Sequence, residues 1–466
     1  MGKRASANGL THHALHAPCQ NGFPHAAAIA AKLSKAKTGF CSSGDDFSLF
    51  FVQSCRVRFR WLNSDNDKGL LLNVKHANAL LTNMGTTIFT VMSALAVKHN
   101  AINLGQGFPD TEGPKDIVRT AADALLDGCN QYPPLTGLPE LRDAVAAASA
   151  RFYGLEIDSA SGVVVTSGAT EAITASLMAL LNPGDEVVLI EPLYDTYLPV
   201  VKMLGAMPKL VRLEPPDWAL PRAALAAAFG PKTKLLMLNS PMNPTGKVFS
   251  QDELAFIAGL LRRHDAYAVC DEVYEHLVFS GAKHVPLATL PGMAERSLRI
   301  GSAGKTFSLT GWKVGYVSGP VPLMALVAKA HQNLTFATPP NLQRAVAYGL
   351  AKPDSYFEKL AAGLEERKDL LDAGLKRLGF STLPAFGSYF ITADVSSLGF
   401  EGGDVAFCEA IIRQAGVAAI PVSAFYAGDG PHHYARFAFC KQFHVLEEAL
   451  RRLESWVAAK PLTALA

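Results

Sequence analysis

Val163-Val-Val-Thr166-Ser167-Gly168-Ala169-Thr170 is a run of β-branched residues that ends in a turn of small ones, and the helical pattern Glu171 to Leu181 follows it. Asn182-Pro-Gly184-Asp185 stops that helix, and Glu186-Val-Val-Leu-Ile190 starts a second strand. The alternation continues outward. Lys234-Leu-Leu-Met-Leu238 reads as a strand, and Ser250-Gln-Asp-Glu253 as a capping box that opens a helix to about Arg263. Ala266-Tyr-Ala-Val-Cys270 is a further strand, ending in Asp271-Glu272. Strands buried on both faces and separated by helices predict an α/β fold with a mostly parallel sheet over residues 160–320. In such sheets ligands bind beyond the carboxyl ends of the strands. After about residue 340 longer helices appear, such as Ser355 to Leu378, with the strands Gly387-Ser-Tyr-Phe-Ile-Thr392 and Tyr434-Ala-Arg-Phe-Ala-Phe439. That part reads as a smaller α+β domain.

The chain has 466 residues, 49% of them apolar, enough for one large domain or two closely joined ones. A net charge of +2 with both signs interspersed recommends neither a nucleic-acid partner nor a membrane surface. No apolar run approaches the roughly 18 residues of a membrane span. The seven cysteines show no CxxC and no regular spacing, which argues against a disulfide framework or a metal site and fits the reducing cytoplasm. Up to Ser43 the chain contains no Asp or Glu but several Lys and Arg, the composition of an organellar transit peptide. Asp45, Asp46 and Arg56-Val-Arg-Phe-Arg60 spoil a clean amphipathic helix, and Met84 begins the ordered-looking sequence. Residues 1–83 therefore read as an extension without catalytic use, with organellar targeting as the alternative.

The residues that suggest chemistry sit at strand ends. Ser302-Ala-Gly-Lys305-Thr-Phe-Ser-Leu-Thr-Gly311-Trp-Lys313-Val-Gly315 lies between two apolar runs and reads as strand, tight loop, strand. Lys305, flanked by small residues, has room to form a Schiff base with an aldehyde, and Lys313 is a second cation suited to a phosphate. A lone loop lysine is ordinarily just solvated, so the partners decide. Gly168-Ala169-Thr170 offers free backbone N–H groups at a helix start, another phosphate site. Tyr194, after a buried strand, can lay its ring on a flat cofactor or be an ordinary core aromatic. Asn243, in the rigid loop Asn239-Ser-Pro241-Met-Asn243-Pro244-Thr-Gly246, can donate to a cofactor oxygen or simply shape a turn. Asp271 in Asp271-Glu-Val-Tyr274 needs a cation to offset burial, and a protonated pyridine nitrogen is one such partner. Arg436 can bind a carboxylate with its planar fork, its bland alternative being a solvated strand face.

Together these motifs resemble the fold-type I pyridoxal phosphate aminotransferases of the aspartate aminotransferase class, over about Thr86 to Leu453. Gly105-Gln-Gly107-Phe-Pro109-Asp110, Asn130-Gln-Tyr132-Pro-Pro, Asn243-Pro-Thr-Gly246, Asp271-Glu-Val-Tyr274 and the Lys305 loop follow the family's order and spacing. Within the class the chain is most similar to the kynurenine/glutamine transaminases and bacterial methionine aminotransferases. The resemblance implies pyridoxal 5′-phosphate as cofactor and a large domain over 129–335. It also implies a small C-terminal domain over 336–466, joined by the N-terminal segment 84–128. Lys305 would form the Schiff base and then shuttle a proton. Asp271 would pair with the pyridine nitrogen, Asn243 and Tyr274 would contact the phenolic oxygen, and Tyr194 would stack on the ring. Ala169, Thr170, Ser302 and Lys313 would hold the phosphate, joined by Tyr132 from the second subunit of a homodimer. Gly107, Asn243 and Arg436 would take the substrate carboxylate. Phe89 and Phe336, the latter from the partner chain, would line the side-chain pocket.

Two departures stand out. Lys313 replaces the arginine many members carry, and Phe89 with Phe336-Ala337 replaces the tryptophan and Phe-His pair of kynurenine-type enzymes. An apolar pocket without a second arginine points to methionine, aromatic residues or glutamine as amino donors in a ping-pong exchange with a 2-oxo acid. Three rivals keep the cofactor: β-elimination from cysteine S-conjugates, a cyclopropane-forming synthase, and transamination of succinylated diaminopimelate. A ligand-sensing regulator would need a helix-turn-helix that residues 1–83 do not display.

Overall fold

The computed structural model of the protein describes residues 77–459, apart from 129 and 280. The expected extension lies outside the described residues as far as position 76. From there Asn78 caps the single turn Ala79–Thr82, and Thr87 caps the helix Ile88–Lys98 by accepting from the Thr90 N–H.

The short strand β1 (Ile102–Asn103) precedes a sheet of seven. Its members are β2 (Val163–Ser167), β3 (Glu186–Glu191), β4 (Met207–Arg212), β5 (Thr233–Asn239), β6 (Tyr267–Asp271), β7 (Ser297–Ser302) and β8 (Val314–Ser318). The spatial order is β2-β8-β7-β6-β5-β3-β4, and all neighbours are parallel except those of β8, which runs against both β7 and β2. The reason lies in the connection. Residues 303–313 are too few for the crossover of a dozen or more residues that a parallel return needs, so β8 must come back antiparallel. The expected tight loop contains a helical turn, Ala303–Thr306, and a 3-10 turn, Thr310–Trp312.

Burial follows position in the sheet. Every residue of β7 is buried and nearly every one of β5 and β6, which explains the apolar runs of β5 and β6; Arg299 within β7 is buried against Glu272 and Glu275. On the edge strand β4 only Val211 is buried, and Lys209 and Arg212 discourage pairing with another chain. The helix Gly168–Leu180 packs across the sheet with Ala172, Ile173, Ala175, Leu177 and Leu180 in the core. The helix Gln251–Arg263 opens with both halves of its capping box, Glu253 N–H to Ser250 Oγ at 3.2 Å and Ser250 N–H to Glu253 Oε2 at 2.9 Å.

A separate antiparallel sheet follows, built from β9 (Ser381–Thr382), β10 (Phe390–Asp394), β12 (Ile420–Pro421) and β13 (Tyr434–Ala438) in the order β12-β13-β10-β9. The helix before it runs Asp354–Arg377, one residue earlier than the sequence pattern suggests, because Pro353 occupies its N-cap. Strand β11 (Val417–Ala418) pairs in parallel with β1. The Ala438 N–H reaches the Leu104 carbonyl at 2.7 Å, so the chain entering Gly105-Gln-Gly107 is fixed beside β13. No described helix is long and apolar enough to cross a membrane.

Candidate active site

A cavity of about 370 Å³ lies where the parallel strands of the large sheet end. Asn239, Asp271 and Ser302, the last residues of β5, β6 and β7, reach its wall, as does the turn after β2. Arg436 brings β13 of the second sheet to the same space.

One end of the cavity suits a phosphate. The helix Gly168–Leu180 starts without a side-chain cap, so its first N–H groups and positive dipole end serve whatever sits there. Gly168 has φ +73°, and a Cβ on it would lie 3.3 Å from Lys313 Nζ. The ammonium thus sits against the helix start. A Cβ on Gly315 would come within 2.6 Å of the Gly168 backbone, so only glycine lets β8 approach this closely. Ala169, Thr170, Ser302 and Lys313 all line this region, as the sequence motifs suggest.

Lys305 and Asp271 face the same cavity. Lys305 Nζ donates to the Tyr389 hydroxyl at 2.8 Å and to the Gly107 carbonyl at 3.2 Å. Burial lowers its pKa to about 8, against the opposing pull of Cys440 and Asp271. Asp271 is 4% exposed. Burial pushes its carboxyl above the ordinary value, opposed by the Tyr197 hydroxyl that donates to Oδ2 and by the Val273 N–H. Asn239 Nδ2 donates to the Asp271 carbonyl at 2.9 Å and its Oδ1 accepts from the Asn243 N–H at 2.8 Å, locking the two strand-end loops together. Tyr274 is buried with its phenol pushed up by desolvation, and Tyr194 lines the wall.

The far end holds Arg436, 1% exposed on the central strand β13, so the solvated alternative does not apply. Nη1 donates to Asn243 Oδ1 at 2.7 Å and Nη2 to the Gly105 carbonyl. Its Nε is buried without a partner, and the guanidinium lies 3.9 Å from the Phe390 ring centroid and 5.3 Å from that of Phe89. Burial lowers its pKa to about 10. A buried guanidinium with neutral partners and a spare N–H is a receptor for a carboxylate.

Gly107 and Phe89 also belong to the wall. Tyr132 and Phe336 do not. They are 85% and 42% exposed and meet each other edge-on at 5.4 Å outside the cavity. Sequence reasoning passes over Tyr197 and Tyr389. Tyr197 is the first residue of the helix Tyr197–Met203 and meets Tyr194 edge-on at 5.7 Å. Tyr389 adjoins Phe390 in a run that reads simply as strand. Among the described residues no group of three or more potential metal ligands occurs.

These donors fit pyridoxal phosphate: an N–H cradle with a lysine for the phosphate, a buried carboxylate lacking a cation, a lysine of lowered basicity, and a carboxylate receptor. The model of the aminotransferase class I and II family matches residues 99–453. A probable N-succinyldiaminopimelate aminotransferase of Mycobacterium tuberculosis is 46% identical over 389 residues, 81% of this chain and 98% of that protein. The methionine aminotransferase of Escherichia coli is 39% identical over 80% of this chain and 96% of its own. Human kynurenine–oxoglutarate transaminase 1 is 38% identical over 78% and 94%. The solved structure of the Mycobacterium tuberculosis N-succinyldiaminopimelate aminotransferase matches with a TM-score of 0.79 over 82% of this chain and all of that one. A family match over most of the chain and a site built for the cofactor agree: the chain belongs to the class I and II aminotransferases, which work with pyridoxal 5′-phosphate.

Proposed function

We propose that the protein moves the amino group of methionine, glutamine or an aromatic amino acid to a 2-oxo acid, binding the two in turn. The observation that carries this reading is the distribution of charge in the cavity. Arg436 is the one guanidinium among its described lining residues, Phe89 and Phe390 stand beside it, and Phe108 lines the same cavity. A substrate anchored there by its α-carboxylate points its side chain at aromatic surface, which favours apolar and amide groups over a second carboxylate.

Bound pyridoxal phosphate supplies an electron-withdrawing ring that stabilises negative charge on the substrate α-carbon. The residues of this chain do the rest. Lys305 holds the cofactor and carries the α-proton, for which a pKa near neutrality suits it. Asp271 keeps the pyridine nitrogen protonated. Asn243 and Tyr274 hold the phenolic oxygen, and Tyr194 covers the ring. Ala169, Thr170, Ser302 and Lys313 hold the phosphate. Gly107, Asn243 and Arg436 orient the substrate carboxylate, and Phe89 takes part of the side chain. We also propose a homodimer, in which the exposed Tyr132 and Phe336 of each chain complete the neighbour's site at phosphate and side chain respectively.

The 46% identity to a probable N-succinyldiaminopimelate aminotransferase supports a second reading, with that compound as amino donor. Comparing kcat/KM for methionine, glutamine, phenylalanine and N-succinyl-diaminopimelate decides between them. At least a tenfold preference for one of the first three supports the main reading, and the reverse preference replaces it. Pyruvate and ammonia released from a cysteine conjugate, faster than its amino group is transferred, would instead mark a lyase.

A further inference from the structure

Lys305 must be a free amine while it moves the substrate proton, because its nitrogen cannot stay bonded to the cofactor and also carry hydrogen between two carbons. A lysine amine on its flexible stem ordinarily has a wide choice of directions. Two contacts remove that choice here. Nζ lies 2.8 Å from the Tyr389 hydroxyl and 3.2 Å from the Gly107 carbonyl. The Tyr389 hydroxyl has a single proton and donates it to the Gly107 carbonyl at 2.5 Å, so its oxygen faces Lys305 as an acceptor. The phenol has no room to turn away. Tyr389 is 1% exposed and packs edge-on against Tyr274 and Phe390, with ring centroids 5.1 Å and 4.8 Å away.

A neutral amine has two hydrogens, one carbon and one lone pair around nitrogen. Both oxygens lie on one side of the nitrogen, so an amine whose hydrogens serve them turns its lone pair to the other side. We propose that Tyr389 is a positioning residue for the proton transfer, holding the Lys305 amine so that its lone pair faces the substrate α-carbon. The substrate Cα–H bond breaks as an Nζ–H bond forms, and the resulting ammonium keeps both acceptors. Lys305 would hold the proton as the ammonium and release it from Nζ to the bound cofactor, which restores the amine. Orientation of this kind governs rate far more than binding. The assignment rests on Lys305 being the base, as proposed above.

Tyr389→Phe tests it, since the ring and its packing remain while the oxygen is lost. With methionine as donor, kcat is expected to fall roughly 10- to 100-fold with KM within about twofold. The rate difference between ordinary and α-deuterated methionine should grow, because the proton step becomes limiting. Uptake of pyridoxal phosphate by the apoprotein, followed by absorbance, and the melting temperature should stay near wild type. Unchanged kcat and isotope effect, or a loss confined to KM or to cofactor uptake, overturns the role of Tyr389. Exchange of the methionine α-proton in heavy water, measured by NMR with Lys305→Ala alongside, separates the two claims. If Lys305→Ala keeps the exchange, the base assignment itself fails. If it loses the exchange while Tyr389→Phe matches wild type, only Tyr389 is wrongly assigned.

Discussion

Tyr197 and Asp271 meet inside the protein, the phenol donating to Oδ2 of a carboxylate, with the two residues 3% and 4% exposed. The contact stabilises the charged form of Asp271 against burial, the form able to pair with a protonated pyridine nitrogen. A hydrogen bond to a charged group contributes about 1.5–3 kcal/mol. Tyr197→Phe should therefore weaken pyridoxal phosphate binding by roughly 10- to 150-fold, read by titrating apoprotein and following absorbance. Unaltered affinity would mean that Asp271 does not depend on the phenol.

The pH dependence follows from Lys305. Its pKa is lowered to about 8 by burial, and the neutral amine is the form that accepts a proton. At pH 7 roughly one-tenth of such an amine is neutral, against a few parts in ten thousand at its ordinary pKa. The rate of the proton step should rise about tenfold per pH unit below pH 8 and level off above it. Single-turnover rates with methionine between pH 6 and 9.5 check this. A flat profile, or a rate falling through pH 8, contradicts the base assignment.

Arg436→Lys keeps the charge but loses the planar fork, leaving Asn243 Oδ1 or the Gly105 carbonyl without its donor. The expected loss in kcat/KM is about 10- to 150-fold, mainly through KM, for the amino acid and the 2-oxo acid alike. An effect on only one of the two substrates would place the shared carboxylate site elsewhere.

Gly168→Ala forces a side chain into a left-handed backbone and against the Lys313 amine. The backbone strain alone costs about 1–2 kcal/mol. Cofactor affinity should fall about tenfold, whereas Gly184→Ala, also at positive φ but with open space around it, should lower stability and leave that affinity unchanged. Equal effects at both glycines would remove Gly168 from the phosphate site.

The sheet could be read from the sequence because β5 and β6 are buried on both faces and so carry apolar runs, Leu235 to Leu238 and Ala268 to Cys270, whereas β7 is equally buried but holds Ser297 and Arg299. The antiparallel return of β8 follows from the shortness of the connection, a constraint visible in the chain but easily outweighed by the βαβ rhythm around it. Lys305, Asp271, Asn243 and Arg436 are legible as a set: Lys305, Asn243 and Arg436 each have a bland alternative alone, and the motifs around them in order and spacing give them weight. Tyr197 and Tyr389 are not, since a tyrosine among apolar residues looks like core until its hydroxyl partner is known. Tyr132 and Phe336 are a different case. Both lie outside the cavity of their own chain, so their proposed roles need a second copy. Mixing a Lys305→Ala chain with a Tyr132→Ala chain should restore one intact site per mixed dimer, so activity after subunit exchange supports shared sites and its absence speaks against them.

The central claim is that Lys305 binds pyridoxal phosphate and passes an amino group through it. The most direct measurement is the visible spectrum of the cofactor-loaded protein, before and after L-methionine and then a 2-oxo acid are added. A yellow band should bleach with methionine, return with the oxo acid, and never form in Lys305→Ala. A protein that stays colourless with pyridoxal phosphate, or a Lys305→Ala variant with the same band, would contradict the claim.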